Sequence, residues 1–233
     1  MTSRRVPQHR TRRRPTRRGQ VLSEELIVDT ALRLIELHGA DGLSMRRLGA
    51  ALGADATAVY RYFDGKHQLV LAIADELIGR TFADFHPSGD WVADLRTAAE
   101  LIYRTNRAHP RAAMLVTSRV TGRRHEVAAI ETMLGILRGA GFAPADAVRH
   151  YHCFIDLVLA FSALDSTIHA GDPEQQRAEA ATWHDVYREL PAEHFPNIAA
   201  GADELGVQMR STPFHTTLEL LLSAIAAQLP APA

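Results

Sequence analysis

Cysteine is nearly missing from this chain: Cys153 is the only one in 233 residues. A lone thiol excludes an intramolecular disulfide framework and fits a reducing compartment. Long apolar runs are missing too. The longest, residues 153–161, is interrupted by Asp156 and falls far short of the roughly 20 residues that span a bilayer. No membrane partner is therefore expected. The N-terminus is rich in arginine but lacks the apolar stretch of a secretory signal, so the expected location is cytoplasmic. Alternation of apolar and polar residues between turn residues, the signature of strands, is scarce. The apolar fraction of 46% is nevertheless that of an ordinary globular protein, which excludes wholesale disorder.

Acid is absent from one end. Residues 1–20 hold eight arginines (Arg4, Arg5, Arg10, Arg12, Arg13, Arg14, Arg17 and Arg18) and none of the 27 acidic residues. The rest of the chain carries 18 basic side chains against those 27, so the net charge of −1 hides a strong asymmetry. A basic arm on an acidic body points to a polyanion at one end only. Composition alone also allows a solvated, disordered tail without a role.

Helical periodicity is present almost everywhere. Leu26, Ile27, Ala31, Leu34 and Ile35 recur at helical spacing; Ser23 is placed to cap that run and Gly39 to stop it. A short helix is predicted over 44–52, capped by Ser44 and ended by Gly53. Another follows over 56–63 with Asp55 as its cap, then an Asp64-Gly65 turn and a longer helix over 66–82. Beyond Pro87-Ser88-Gly89 the segments become long and amphipathic: 91–108, 110–120, 123–139, 145–169, 173–190 and 212–228. Residues 191–206 read as a loop with at most a helical turn. The expected fold class is all-α, with a small N-terminal unit over 21–82 and a larger helical body over 83–233.

Two short helices joined by a tight glycine turn, here 44–63, are what a helix-turn-helix DNA reader needs. Leu48, Leu52, Val59 and Phe63 are expected to hold the pair at a fixed angle. The outward face of the second helix then carries Thr57, Ala58 and Arg61, with Tyr60 and Tyr62 nearby. Small residues allow close approach to base edges, and threonine offers a hydroxyl and a methyl group. Tyr60, Tyr62 and Lys66 suit phosphate oxygens, and the helix starting near Lys66 presents free N–H groups to a phosphate. Arg46 and Arg47 add positive charge. An arginine arm directly before such a reader gains a second reading, as a salt-sensitive contact along the minor groove or backbone.

Residues 21–82 resemble the N-terminal domain of the TetR family of repressors. The likeness rests on Gly42-Leu43-Ser44-Met45-Arg46-Arg47-Leu48, on the stretch from Leu52-Gly53-Ala54-Asp55 through Thr57-Ala58-Val59-Tyr60-Arg61-Tyr62-Phe63, and on Asp64-Gly65-Lys66 with Leu69. The resemblance implies that Arg46, Thr57, Ala58, Tyr60, Tyr62 and Lys66 sit at DNA-facing positions. It further implies a helical body that dimerises and encloses a small-molecule cavity, and a repressor released from a palindromic operator on double-stranded DNA by an effector.

The body is compatible with both jobs. Segment 145–169 is apolar nearly all round and must be covered on every side; with 212–228 it is expected to close a four-helix bundle in a homodimer. Candidate effector contacts are Tyr103, Asn106, Met114, Thr117 and Met133. Leu137, His152, Asp156 and Phe161 complete the set, a mostly apolar lining with a few polar groups. Asp156 is placed either to receive a cationic or hydroxylated ligand or to pair with a histidine, His152 one turn earlier or one on another helix. Nine of the twelve histidines lie in the body, but without the spacing of a zinc site, so neither a metal nor a cofactor is expected. The turn Gly139-Ala140-Gly141-Phe142 resembles the tetracycline-repressor branch, yet the positions of that branch's magnesium–drug histidines fall near Thr117 and Asp156. Tetracycline recognition is therefore not expected. No phosphate loop, catalytic triad or hydrolase motif supports an enzyme. The alternatives to a ligand-responsive regulator are a ligand-free nucleoid-type DNA-binding protein and a metal-responsive regulator.

Overall fold

The computed structural model describes residues 21–116, 120–170, 173–208 and 212–229. The arginine arm and Thr117 lie outside the described residues. Those residues form helices and connecting turns, with no β-strand among them. Two compact units divide within one helix, after Leu69.

The first unit holds α1 (Glu24–His38), a single 3-10 turn (Ala40–Gly42), α2 (Met45–Leu52), α3 (Ala56–Tyr60) and the start of α4 (Lys66–Thr81). Its core is built from Ile27, Ile35, Leu48, Val59, Phe63 and Leu69, each at most 1% exposed. Burial of each such side chain contributes on the order of 2 kcal/mol. Side chains set the helix starts. The Ser23 hydroxyl accepts the Leu26 N–H, Ser44 accepts that of Arg47, and Asp55 accepts that of Thr57. Gly53 ends α2 in the left-handed region, at φ 63° and ψ 31°, where a side chain is strained. The third helix stops at Tyr60 rather than continuing to Phe63: the Tyr62 N–H closes a tighter three-residue turn on the Val59 carbonyl, an oxygen that the Phe63 N–H shares.

Helix α2 approaches the start of α3 closely. A Cβ on Gly49 would lie 3.0 Å from the Ala56 nitrogen and 3.1 Å from the Ala54 oxygen. Backbone atoms cannot swing aside as a flexible side chain does, so Gly49→Ala is expected to destabilise the unit by about 1–3 kcal/mol. Thermal unfolding of the two proteins measures this; an unchanged melting temperature would show that the turn yields freely.

The second unit holds the remainder of α4, then α5 (Trp91–Ala108), α6 (Pro110–Val116), α7 (Arg124–Gly139), α8 (Pro144–Ala170), α9 (Pro173–Glu189), α10 (Pro196–Gln208) and α11 (Phe214–Ala226). Leu95, Ala98 and Ile102 of α5, Met133 and Leu137 of α7, Phe154 and Val158 of α8, and Leu218 and Leu222 of α11 share one core. Phe142, in the α7–α8 turn, meets Trp91 edge-on at 5.8 Å and His150 at 4.7 Å.

Residues 191–206 differ from the loop expected. Most of them belong to α10, which packs against α9 as a helical hairpin. Pro196 opens α10 where its missing N–H costs nothing, while Gly201 and Gly206 dilute the apolar periodicity on which a helix prediction depends.

Asp94 ties the segment before α5 to the helix. Its carboxylate accepts Ser88 N–H (2.8 Å), Ser88 Oγ–H (2.7 Å) and Gly89 N–H (3.2 Å). Burial pushes this carboxyl upward, but the three hydrogen bonds outweigh burial and hold it below the usual carboxylate range. A group depressed on folding contributes stability above its unfolded pKa and loses it as pH falls through its folded one. Asp94→Ala is thus expected to lower the melting temperature at pH 7, with the gap from wild type closing toward pH 3. A gap independent of pH would contradict this.

Candidate nucleic-acid interface and effector site

Helix α3 has only five residues, too few to form an apolar stripe of its own. Val59 alone is buried, and it anchors the helix to the unit's core with Phe63 behind it. The rest of α3 is exposed or half-buried. Thr57, Tyr60 and Arg61 are exposed and Ala58 is half-buried. Tyr60 is 54% exposed, and a large aromatic ring left in water beside cations is the kind of exposure that calls for an explanation. Arg46 and Arg47 lie exposed on α2, and Lys66 exposed at the start of α4. Arg47 donates to the Asp41 carbonyl at 3.4 Å, and Lys66 Nζ to the Ala40 carbonyl at 3.2 Å. Asp55, two residues before Thr57, is occupied as the α3 cap; hydrogen bonds from Thr57 hold its carboxyl below the usual range.

Tyr62 divides its functions. The ring is 37% exposed, but the hydroxyl donates to the Leu22 carbonyl at 2.6 Å, pinning the segment before α1. All eight residues nominated as DNA contacts therefore fall within the first unit. Seven are exposed, and one of these, Tyr62, also has a structural bond.

The residues nominated as effector contacts are dispersed. Tyr103 is buried, Met133 and Leu137 lie in the core, and Phe161 is half-buried beside it. Met114 is 58% exposed on the single chain. His152 and Asp156 lie on the exposed face of α8, and no hydrogen bond or ion pair joins them among the described residues. The α8 acid inside the body is Asp165, 4% exposed. The Tyr103 hydroxyl donates to it, and the Tyr103 ring stacks on Phe214 at 4.0 Å and 9°. Phe161 approaches Phe214 at 6.0 Å, and the Arg107 guanidinium stands 5.8 Å from the Tyr103 ring centre. Ser162 and Ser166, buried on the same stripe of α8, donate to their own helix carbonyls at 2.7 Å.

Two buried polar atoms near this cluster in sequence, Asn106 Nδ2 and Thr212 Oγ1, have no hydrogen-bond partner among the described residues. Burying a donor unpaired costs about 1–3 kcal/mol, so such atoms mark places where a ligand or water has polar work to do. Asp165, Thr212 and Phe214 escaped the sequence reading. Extending the Phe154–Val158 stripe by whole turns leads to Ser162, Asp165 and Ser166. No three of histidine, cysteine, aspartate and glutamate converge as metal ligands among the described residues. None of the described helices is long and apolar enough to cross a membrane.

Comparison with known proteins agrees over both units. Residues 27–73 match the tetR family of bacterial regulatory proteins, and residues 85–229 match the tetracyclin repressor-like C-terminal domain. The HTH-type transcriptional repressor DrrR1 of Streptomyces coeruleorubidus is 30% identical over 141 residues, 59% of this chain and 52% of that protein. The class C tetracycline repressor protein of Escherichia coli is 31% identical over 129 residues, 54% of this chain and 58% of that one. The chain thus spans little more than half the length of these curated relatives. Among solved structures, the TetR family protein ActR of Streptomyces coelicolor, in complex with actinorhodin, superposes with a TM-score of 0.80. It covers 91% of this chain and 99% of that one at 24% identity, a shared fold. The relatives are transcriptional regulators, not enzymes. From the match across both units, the chain belongs to the TetR family.

Proposed function

We propose that the chain is a ligand-responsive transcriptional repressor in the cytoplasm, released from a palindromic operator when a small molecule binds its body. Residues 21–82 are the reader and 83–233 the ligand-binding and dimerisation domain. The observation that carries the reading is the α3 surface: Thr57, Ala58, Tyr60 and Arg61 left outward on a helix anchored by one buried residue. Arg46, Arg47, Tyr62 and Lys66 supply phosphate contacts beside it. Two copies place two such surfaces on half-sites about one helical turn apart, joined through the exposed faces of α8 and α11. Leu164, 50% exposed, and Leu220, 66% exposed, lie on those faces.

The effector binds where α5, α8 and the start of α11 meet. Tyr103, Phe161 and Phe214 supply aromatic surface, while Asn106 and Thr212 supply unsatisfied polar atoms. DNA and effector then oppose one another by the same factor in both directions. The test is selection from a random duplex pool with the purified chain. A two-fold palindrome is the expected product, and salt-sensitive binding without a motif would contradict the reading.

A further inference from the structure

Three residues of α5 share one face beside the Tyr103–Phe214 stack. Tyr103, Asn106 and Arg107 stand three and four positions apart, which brings their side chains together on a helix. Arg107 is exposed and its guanidinium stands 5.8 Å from the Tyr103 ring centre. It makes no hydrogen bond or ion pair among the described residues. The Asn106 amide nitrogen and the Thr212 hydroxyl oxygen are buried and likewise unpartnered among them. Thr212 precedes Phe214 by two residues, a span of at most about 7 Å, so the stack keeps it near Tyr103.

The neighbouring acids already have partners. Asp165 accepts from the Tyr103 hydroxyl and is engaged a second time within the chain. Glu100 lies 2.9 Å from His215 Nε2. Helix α11 starts at Phe214 without a side-chain cap, which leaves its first N–H groups and the positive end of its dipole at the same junction. The unmatched charge there is positive.

Donor chemistry decides what such a junction receives. Arginine only donates, and the Asn106 amide and Thr212 hydroxyl can both donate. A carboxylate accepts from all three in charge-assisted bonds, about twice as strong as neutral ones. A neutral amide leaves the charge of Arg107 unanswered, and an amine meets it as a like charge. We propose that the effector is an organic acid, with an apolar body against Tyr103 and Phe161 and a carboxylate received by Arg107, Asn106 and Thr212. This inference rests on the reading of the junction as the effector site. A cation in the last turn of α5 also suits the negative end of that helix; in that role alone Arg107 would show no preference among ligands.

The test uses the full chain and matched probes: benzene, naphthalene, anthracene and pyrene skeletons, each carrying a carboxylate, a carboxamide or an aminomethyl group. In calorimetric titration the best-bound skeleton is expected to bind at least about tenfold more tightly as its carboxylate than as either counterpart, the size of one hydrogen bond to a charged group. Arg107→Gln should abolish that margin and leave the carboxamide's affinity unchanged, while Arg107→Lys should keep most of it. Arg107 is exposed, so neither change opens a cavity. Asn106→Leu should weaken the carboxylate as well, yet raise the melting temperature of the free protein, since it removes an unpaired buried amide. A carboxylate margin that survives Arg107→Gln, a margin in favour of the amide or amine, or no binding by any carboxylate overturns the inference. Operator release separates it from the reading beneath it. Carboxylates that bind with this margin and leave operator affinity unchanged defeat the effector reading and leave the acid preference standing. A neutral or cationic probe that releases the operator, with no advantage for its carboxylate, defeats the inference and leaves the reading standing.

Discussion

Replacing Tyr60 and Lys66 together by alanine is expected to weaken operator binding at least about 100-fold while leaving the fold intact. Both side chains are exposed, so truncation opens no cavity. The hydrogen bond from Lys66 to the Ala40 carbonyl lies at the surface, at 3.2 Å. Each DNA contact of this kind is worth about 1–3 kcal/mol, and a dimer on a palindrome makes each contact twice. The two residues should also separate in character. Removing a lysine–phosphate contact lowers the salt dependence by about one counterion per copy, whereas removing Tyr60 leaves the slope nearly unchanged. Fluorescence anisotropy across a salt series distinguishes them. Tyr62 makes a useful contrast: its hydroxyl holds the Leu22 carbonyl, so Tyr62→Phe should lower stability as well as affinity.

The second large effect is expected in the body. Phe214 is fully buried and carries the stack with Tyr103, the approach to Phe161 and an edge contact with His215 at 5.1 Å. Phe214→Ala removes a large side chain from a closed core, at about 3–5 kcal/mol. For a protein of this size that is a fall of roughly 10 °C in melting temperature. It also releases the Tyr103 ring whose hydroxyl serves Asp165. Tyr103→Phe keeps the stack and removes only that hydrogen bond, so its cost should be smaller, about 1–3 kcal/mol. Thermal unfolding at one fixed protein concentration makes the comparison, since a dimer's melting temperature depends on concentration. Equal losses in the two variants would mean that the polar bond, not the stack, dominates this junction.

What was legible in the sequence was local. Ser23, Ser44 and Asp55 cap helices through bonds to residues two or three positions ahead, so a cap and its helix are read in one glance. The reader was recognisable for the same reason, since its turn, caps and buried residues lie within a few tens of positions. The body's polar interior was less legible. Asp156 is a conspicuous acid in an apolar run, but a helix turns about 100° per residue, so Asp165, nine positions on, faces the opposite side. The acid that stands out in the sequence is the exposed one, and the buried one sits among serines that mask it. Asp75 and His125 were beyond pattern altogether. The Asp75 carboxylate accepts the His125 and Glu126 N–H groups at the start of α7. Nothing within α4 announces that its carboxylate caps a helix fifty residues later, and His125 is one of nine histidines in the body. Helix α10 was obscured by its glycines, whose effect on local propensity is outweighed by packing against α9.

If two copies of this chain read one palindrome, counting the chains bound to DNA reveals it. Native mass spectrometry of the full chain on the selected palindrome, with affinity measured in parallel on the palindrome and on one half-site, gives both numbers. Two chains per palindrome are expected, with the half-site bound at least about 100-fold more weakly, as linked binding of two readers requires. One chain per duplex, or equal affinity for the half-site and the palindrome, would contradict the account.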